Sequence, residues 1–244
     1  MGIFDEPRPV AGVEAPTRSW PAFEHVIPLT RRILTGSDNF FEVLARRRSA
    51  LGGSVSEREL SSVLWHAMLL RERNNNSRFG EWESRAAPSA GGLHSLGIAC
   101  LPVDGSPWCG LYDPEAHELR SSSSFETAIS LNRNEIDEIL SSKHGITLQF
   151  IGDRRRYEAC YQHWETLFWR DAGALLGIIT MIATALGLEA SPVGRNGSDI
   201  VAAAGFPTEY LAGGAIHIAS TRTTNQTGEG ALGCDGGPFS PSVT

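Results

Sequence analysis

Apolar positions along the chain fall into two kinds of run. Leu60, Val63, Leu64, Ala67 and Met68 recur at helical spacing. Ser56-Glu57-Arg58-Glu59 stands just before them. A Ser that caps a helix with Glu three residues on is a capping box, so the helix starts there. Leu96–Val103, Cys109–Tyr112, Ile146–Gly152 and Ala215–Ser220 are compact apolar stretches that predict strands, the first also fitting a buried helix end. Gly105-Ser106-Pro107 turns between the first two, and Ala190–Gly194 is short and extended. Ile129, Ile136, Ile139 and Leu140 predict the inner face of a helix that follows a Ser121–Ser124 loop. Tyr157–Gly187 predicts a long helix broken near Gly173. Its second half, Ala172–Leu188, carries no charge, but a membrane span needs about 20 apolar residues. Gly173, Gly177, Thr180 and Thr184 suit close packing, so this run predicts a buried central helix. Ser198–Ala204 predicts a short helix capped by Ser198 or Asp199.

Polar and proline-rich stretches fill the rest. Pro7, Pro9, Pro16 and Pro21 make Met1–Pro21 an extended arm or a disordered start. A helix begins near Ser37 or Asp38, with Phe40, Phe41, Val43 and Leu44 as its apolar side, and runs into Arg46-Arg47-Arg48-Ser49. Arg71–Trp82 predicts a polar loop and Arg154-Arg155-Arg156 a solvated run. The pattern is that of an α+β domain with mixed strands. It divides into an arm (1–29), one domain (30–222) and a Gly-rich mobile tail (223–244).

Composition narrows the function classes. Of 244 residues, 41% are apolar and 20% charged, as in an ordinary soluble globular protein. A net charge of −7 gives no electrostatic case for nucleic acid. Lys143 is the one lysine, which restricts any mechanism that needs an amine. Cys100, Cys109, Cys160 and Cys234 include no Cys-x-x-Cys pair, and no signal pattern opens the chain, so a reduced, cytoplasmic protein is expected. Gly228–Gly233 matches G-x-G-x-x-G but precedes no predicted helix, so it is not a dinucleotide fingerprint.

Two stretches carry candidate chemistry. Ser84–Leu96 packs Pro88, Ser89, Ala90, Gly91 and Gly92 into a low-bulk turn at the mouth of a core element. Such a run is either a tight surface loop or a place where backbone approaches a ligand closely. Arg46-Arg47-Arg48-Ser49 is either a solvated helix end or a phosphate grip.

These pieces occur in a definite order. Arg-Arg-Arg-Ser is followed by Pro88-Ser89-Ala90-Gly91-Gly92-Leu93-His94 and Gly110-Leu111-Tyr112-Asp113-Pro114. Asp171-Ala172-Gly173, Leu186-Gly187-Leu188 and Pro192-Val193-Gly194 come after. Over residues 40–222 this set resembles the nitroreductase-like FMN-dependent oxidoreductases. The likeness is closer to their SagB-type branch, which includes thiazoline oxidases. The resemblance implies a sheet flanked by helices and a homodimer, with the central helix at the interface and two flavin sites between subunits. It implies that Arg47, Arg48, Ser49 and Arg222 hold the FMN phosphate and ribityl chain. Pro88, Ser89 and Ala90 of the opposite subunit pack near the isoalloxazine, and the Val193–Gly194 backbone faces its N5 edge. His94 and Tyr161 are the substrate-side candidates.

Three positions depart from the pattern: Leu51 where the family often has a basic residue, Cys160 as the nearest match, about one residue out of register, to the lysine of thiazoline oxidases, and Ala174 where members usually have histidine. The implied function is an FMN oxidoreductase acting on a small molecule or a peptide-derived substrate, with no membrane partner. The alternatives are a catalytically silent dimeric binding partner and an NAD(P)H-dependent nitro or quinone reductase.

Overall fold

The computed structural model describes residues 5–221. In chain order its elements are β1 (Arg8–Pro9), β2 (His25–Pro28), α1 (Phe40–Arg46), α2 (Glu57–Met68), β3 (Glu72–Ser77) and β4 (Gly80–Ser84). A single 3-10 turn (Ala90–Gly92) leads to β5 (Leu96–Pro102), β6 (Gly110–Asp113), β7 (Glu118–Ser121), α3 (Ser124–Leu140) and β8 (Ile146–Asp153). Then come α4 (Arg154–Cys160), β9 (Tyr161–Gln162), α5 (Glu165–Ala185), β10 (Leu188–Val193), α6 (Ser198–Ala203) and β11 (Tyr210–Ser220).

Seven strands form one sheet in the order β10-β11-β8-β5-β6-β7-β2. The α+β class holds. Every pairing in this sheet is antiparallel, where the pattern predicted mixed strands. β5 and β8 are buried along their whole length. Both faces of the sheet are covered, which is why these strands read as continuous apolar runs rather than alternating ones. On one face Ile98, Cys100, Leu148 and Phe150 pack with Leu60 and Leu64 of α2 and Leu175 and Ile179 of α5. On the other, Ala99, Leu101 and Ile151 pack with Phe125 and Ala128 of α3 and Ile200 and Val201 of α6.

The capping box forms as expected: Ser56 Oγ accepts from Glu59 N, and Glu59 accepts from Ser56 N. Several expectations are corrected. Arg71–Trp82 is largely the β3–β4 hairpin, and β7 occupies part of the expected serine loop. The arm is ordered over the described residues: β1 pairs with β9, Trp20 and Phe23 pack into the core, and β2 is a strand of the main sheet. A boundary at residue 29 therefore cuts through the domain. The long helix breaks at Tyr161–Trp164, where His163 has φ 54°, and continues through Gly173. Arg156 is buried, donating to the carbonyls of Pro16 and Leu93, so only part of Arg154–Arg156 is solvated.

Helix α1 is capped by Asn39, and only Val43 of its apolar side is buried; Phe40, Phe41 and Leu44 are exposed. Ile139, expected inward on α3, is also exposed. Helix α5 is half covered. Phe168, Ala172, Leu175, Ile179 and Ala183 face the core, while Trp169, Arg170, Gly173 and Gly177 face out, with open space before both glycines. It has the length and apolarity of a membrane span, yet that inner face is packed against the sheet. Cys100, Cys109 and Cys160 are free thiols; Cys234, Gly228–Gly233 and the tail lie outside the described residues.

Candidate functional site

The candidate residues gather at two ends of α5. At its C-terminal end, Ala45, Arg46, Arg47 and Arg48 face Thr184, Gly187, Leu188, Glu189 and Thr221 across a cavity of about 410 Å³. Asp38 pairs with Arg46, and Arg48 Nη2 lies 3.1 Å from Glu189 Oε1. Arg47 makes no ion pair or side-chain hydrogen bond among the described residues. A short helix that ends on Arg47, with ψ turning to 122°, leaves this guanidinium in solvent. Ser49 is exposed and does not line the cavity, although Ser191 Oγ ties the next residue to β10 by donating to Ala50 O at 3.1 Å. Arg222 lies outside the described residues; Thr221 before it lines the cavity. Guanidinium groups on a polar cavity are the donor set an anionic phosphate needs. Glu189 opposes them with one carboxylate.

Toward the N-terminal end the geometry is closed. Ser89 Oγ donates to Asp171 Oδ2 at 2.6 Å and accepts from His94 N at 3.0 Å. Ala90 N donates to Asp171 Oδ1 at 3.0 Å, and Tyr157 Oη donates to Oδ2 at 2.8 Å. Burial raises the Asp171 carboxyl above its ordinary range, and these three donors pull it back in part. Gly91 and Gly92 follow with φ 58° and 68°. A Cβ at Gly92 would stand 2.0 Å from Trp82 Cδ1, so only glycine fits.

His94 is buried at φ 43°, with Nε2 donating to Glu83 O at 3.0 Å. Burial, and the nearby Arg85 charge, push its pKa down to about 4. Through this hydrogen bond it anchors the turn as a neutral imidazole. Glu83 below it is also buried. Burial raises its pKa, but Arg18, Arg85 and Arg73 outweigh that and hold it down to about 2. Arg85 is itself buried, donating to Glu83 Oε2 and Met68 O.

The Val193 side chain packs into the core with Val103, Ile136 and Ala215, so only its backbone can meet a ligand. Gly194 is exposed with open space before it. Arg195 braces this segment, with Nη2 donating to Asn132 Oδ1 at 2.6 Å and Nε 2.8 Å from Glu135. Tyr161 is half-buried, edge-on to Phe79. Among the departures, Cys160 is buried in the core, Leu51 is exposed and Ala174 half-buried.

One chain does not assemble these pieces into one site. From Asp171 to Thr184 is thirteen residues of α5, about 20 Å at 1.5 Å per residue. That length of helix separates the residue that holds the Pro-Ser turn from the one that lines the arginine cavity. Asp171, Glu83, Arg85 and Glu189 were not singled out from the sequence as site residues. A lone carboxylate inside an apolar helix was the available signal for Asp171, because an unpaired buried charge demands partners.

Compared by sequence, the chain matches no family model and no curated protein. Compared by structure, it has the nitroreductase fold. A protein from Ralstonia eutropha JMP134 described as a nitroreductase superposes with a TM-score of 0.57 at 18% identity, covering 89% of this chain and 99% of the other. The Escherichia coli microcin synthetase McbBCD, solved with truncated pro-MccB17 bound, is similar over 72% of this chain and 70% of the other, at TM-score 0.52 and 14% identity. A Desulfovibrio desulfuricans protein described as a nitroreductase and solved with FMN is similar over 80% of this chain and 94% of the other, at TM-score 0.50 and 16% identity.

Proposed function

We propose that this protein is an FMN-dependent oxidoreductase that works as a homodimer. The observation that carries the reading is the Arg47 guanidinium, without a counter-ion among the described residues, on a 410 Å³ cavity of a nitroreductase fold. FMN supplies the hydride chemistry when bound, and the protein binds and orients it. Arg47, with Ser49 and Arg222, holds the phosphate; Arg48 is shared with Glu189. Pro88, Ser89 and Ala90 face the flavin ring, and the Gly194 backbone lines its reacting edge.

The 20 Å between the two ends of α5 supports the dimer. Two copies paired antiparallel along α5 bring one chain's Pro-Ser turn beside the other's arginine cavity. A two-fold interface is self-complementary in this way. The outward faces of α5 and α1, with Trp169, Gly173, Gly177, Phe40, Phe41 and Leu44, are the apolar surface such pairing covers. Sedimentation is expected to give a dimer for the native protein and a monomer or insoluble chain for Gly177→Arg. A stable native monomer would sink the dimer.

The substrate is a small molecule or peptide-derived, the latter in keeping with the peptide bound to McbBCD. Its oxidation uses no lysine base: the nearest match to that lysine is the buried Cys160, and Lys143 is paired with Asp137 in solvent.

Flavin absorbance of the purified protein is the first test. FMN should bind more tightly than riboflavin. Arg47→Ala should cost FMN roughly tenfold to a hundredfold, the worth of one charge-assisted hydrogen bond, and leave riboflavin unchanged. Equal affinity of the native protein for the two flavins would overturn the phosphate assignment.

A further inference from the structure

We infer that Asp171 is the positioning residue of the ring-side turn: through Ser89 and Ala90 it fixes the backbone that Pro88, Ser89 and Ala90 present to the flavin. The inference rests on the FMN reading above and deepens it.

Asp171 is buried at 6% exposure, and the seventeen residues after it carry no charge. A carboxylate there is costly unless compensated. No cation pairs with it among the described residues. Its partners are three donors instead, and two of them, Ser89 Oγ and Ala90 N, belong to the turn. The third, Tyr157 Oη, is fully buried on α4 and holds the carboxylate from behind. The group is thus no ion pair of the core; it is a bracket between α5 and the turn.

The bracket also sets what the turn can offer. The Ser89 hydroxyl hydrogen is committed to Asp171, and an Oγ lone pair to His94 N. The turn therefore meets a ligand with the exposed Pro88 ring and with backbone, not with a serine donor. From the other side Gly92 is pressed against Trp82 and Gly91 against Phe79 and Tyr161, so the turn has one position while the bracket holds.

The test compares the native protein with Asp171→Asn, Ser89→Ala and Tyr157→Phe, titrating FMN and riboflavin and recording the visible spectrum of bound FMN. Asp171→Asn should weaken both flavins by the same factor, about tenfold, since it touches the ring side and not the phosphate. The FMN-to-riboflavin ratio should stay native while the bound-flavin spectrum shifts. Ser89→Ala cuts the same bracket from the turn and should reproduce both changes, which keeps the test open if the Asp171 variant does not fold. Tyr157→Phe should move them in the same direction by less. Native affinities and a native spectrum in Asp171→Asn or Ser89→Ala would overturn the inference and leave the FMN reading standing. A change in the FMN-to-riboflavin ratio would overturn it too. A native protein that binds neither flavin would overturn the FMN reading itself.

Discussion

The two ends of α5 are built on opposite plans. At one end Ser89, Ala90, Tyr157, Asp171 and His94 are locked together by hydrogen bonds, two left-handed glycines and the Glu83–Arg85 pair. At the other, Arg47 is in solvent and Arg48 reaches one carboxylate with a side chain that is 73% exposed. The locked end has spent its polar groups on itself and can offer a ligand only shape. The open end offers charge and little shape. A flavin needs both: a flat surface for its ring and cations for its phosphate.

On this contrast, changes at the locked end cost stability as well as ring-side affinity, and changes at the open end cost affinity alone. The largest effect should come from Gly92→Ala. Its methyl group collides with Trp82 at a left-handed position, which costs about 3 kcal/mol and roughly 10 °C in Tm by thermal melting. Arg47→Ala should stay within about 0.5 kcal/mol of the native stability.

Acid should act on the locked end next. Folded His94 resists protonation down to about pH 4, while the unfolded chain's histidine takes its proton near pH 6.5. The unfolded state therefore binds more protons in this window, and stability falls as pH falls. Between pH 7 and pH 5 this one group should cost about 2 kcal/mol. Denaturant curves of the native protein and His94→Gln should separate by that amount. An equal acid response of the two would show that His94 is not held neutral.

The smallest effect sharpens the open end. Glu189→Gln frees Arg48 and removes an opposing charge from the cavity wall, so FMN should bind about threefold more tightly with riboflavin unchanged. Isothermal titration can resolve it.

The sequence was most legible where structure is local. The Ser56–Glu59 capping box and the apolar runs of β5 and β8 act through neighbours in the chain. It was least legible where a partner comes from far away. The Arg71–Trp82 stretch is mostly polar, and β3 is exposed along nearly its whole length, so no apolar alternation announces it; its hairpin shows in the pairing of Glu72–Asn74 with Trp82–Ser84 and of Ser77 with Gly80. Arg156 looks like one of three solvated cations until the carbonyls of Pro16 and Leu93 are seen around it. The helix was expected to break near Gly173, but it runs through that position, which faces open space. The break falls at β9, where Pro9 pairs with Tyr161 across some 150 residues. The same rule divides the site. The arginine run is contiguous and could be picked out by eye, while the Asp171 bracket joins three separate stretches.

The arm also sets a timetable for synthesis. β2 leaves the ribosome well before its partner, whose pairing begins with Ser121 opposite His25, ninety-six positions later. At about 5–20 residues per second that is a wait of roughly 5–20 s. Trp20 waits about twice as long, because Phe206 and Tyr210, against which its ring packs, follow it by almost twice that interval. Until then an aromatic strap hangs free of the surface it will cover. The arm is made before the surfaces it covers and is among the last segments of this fold to find its place.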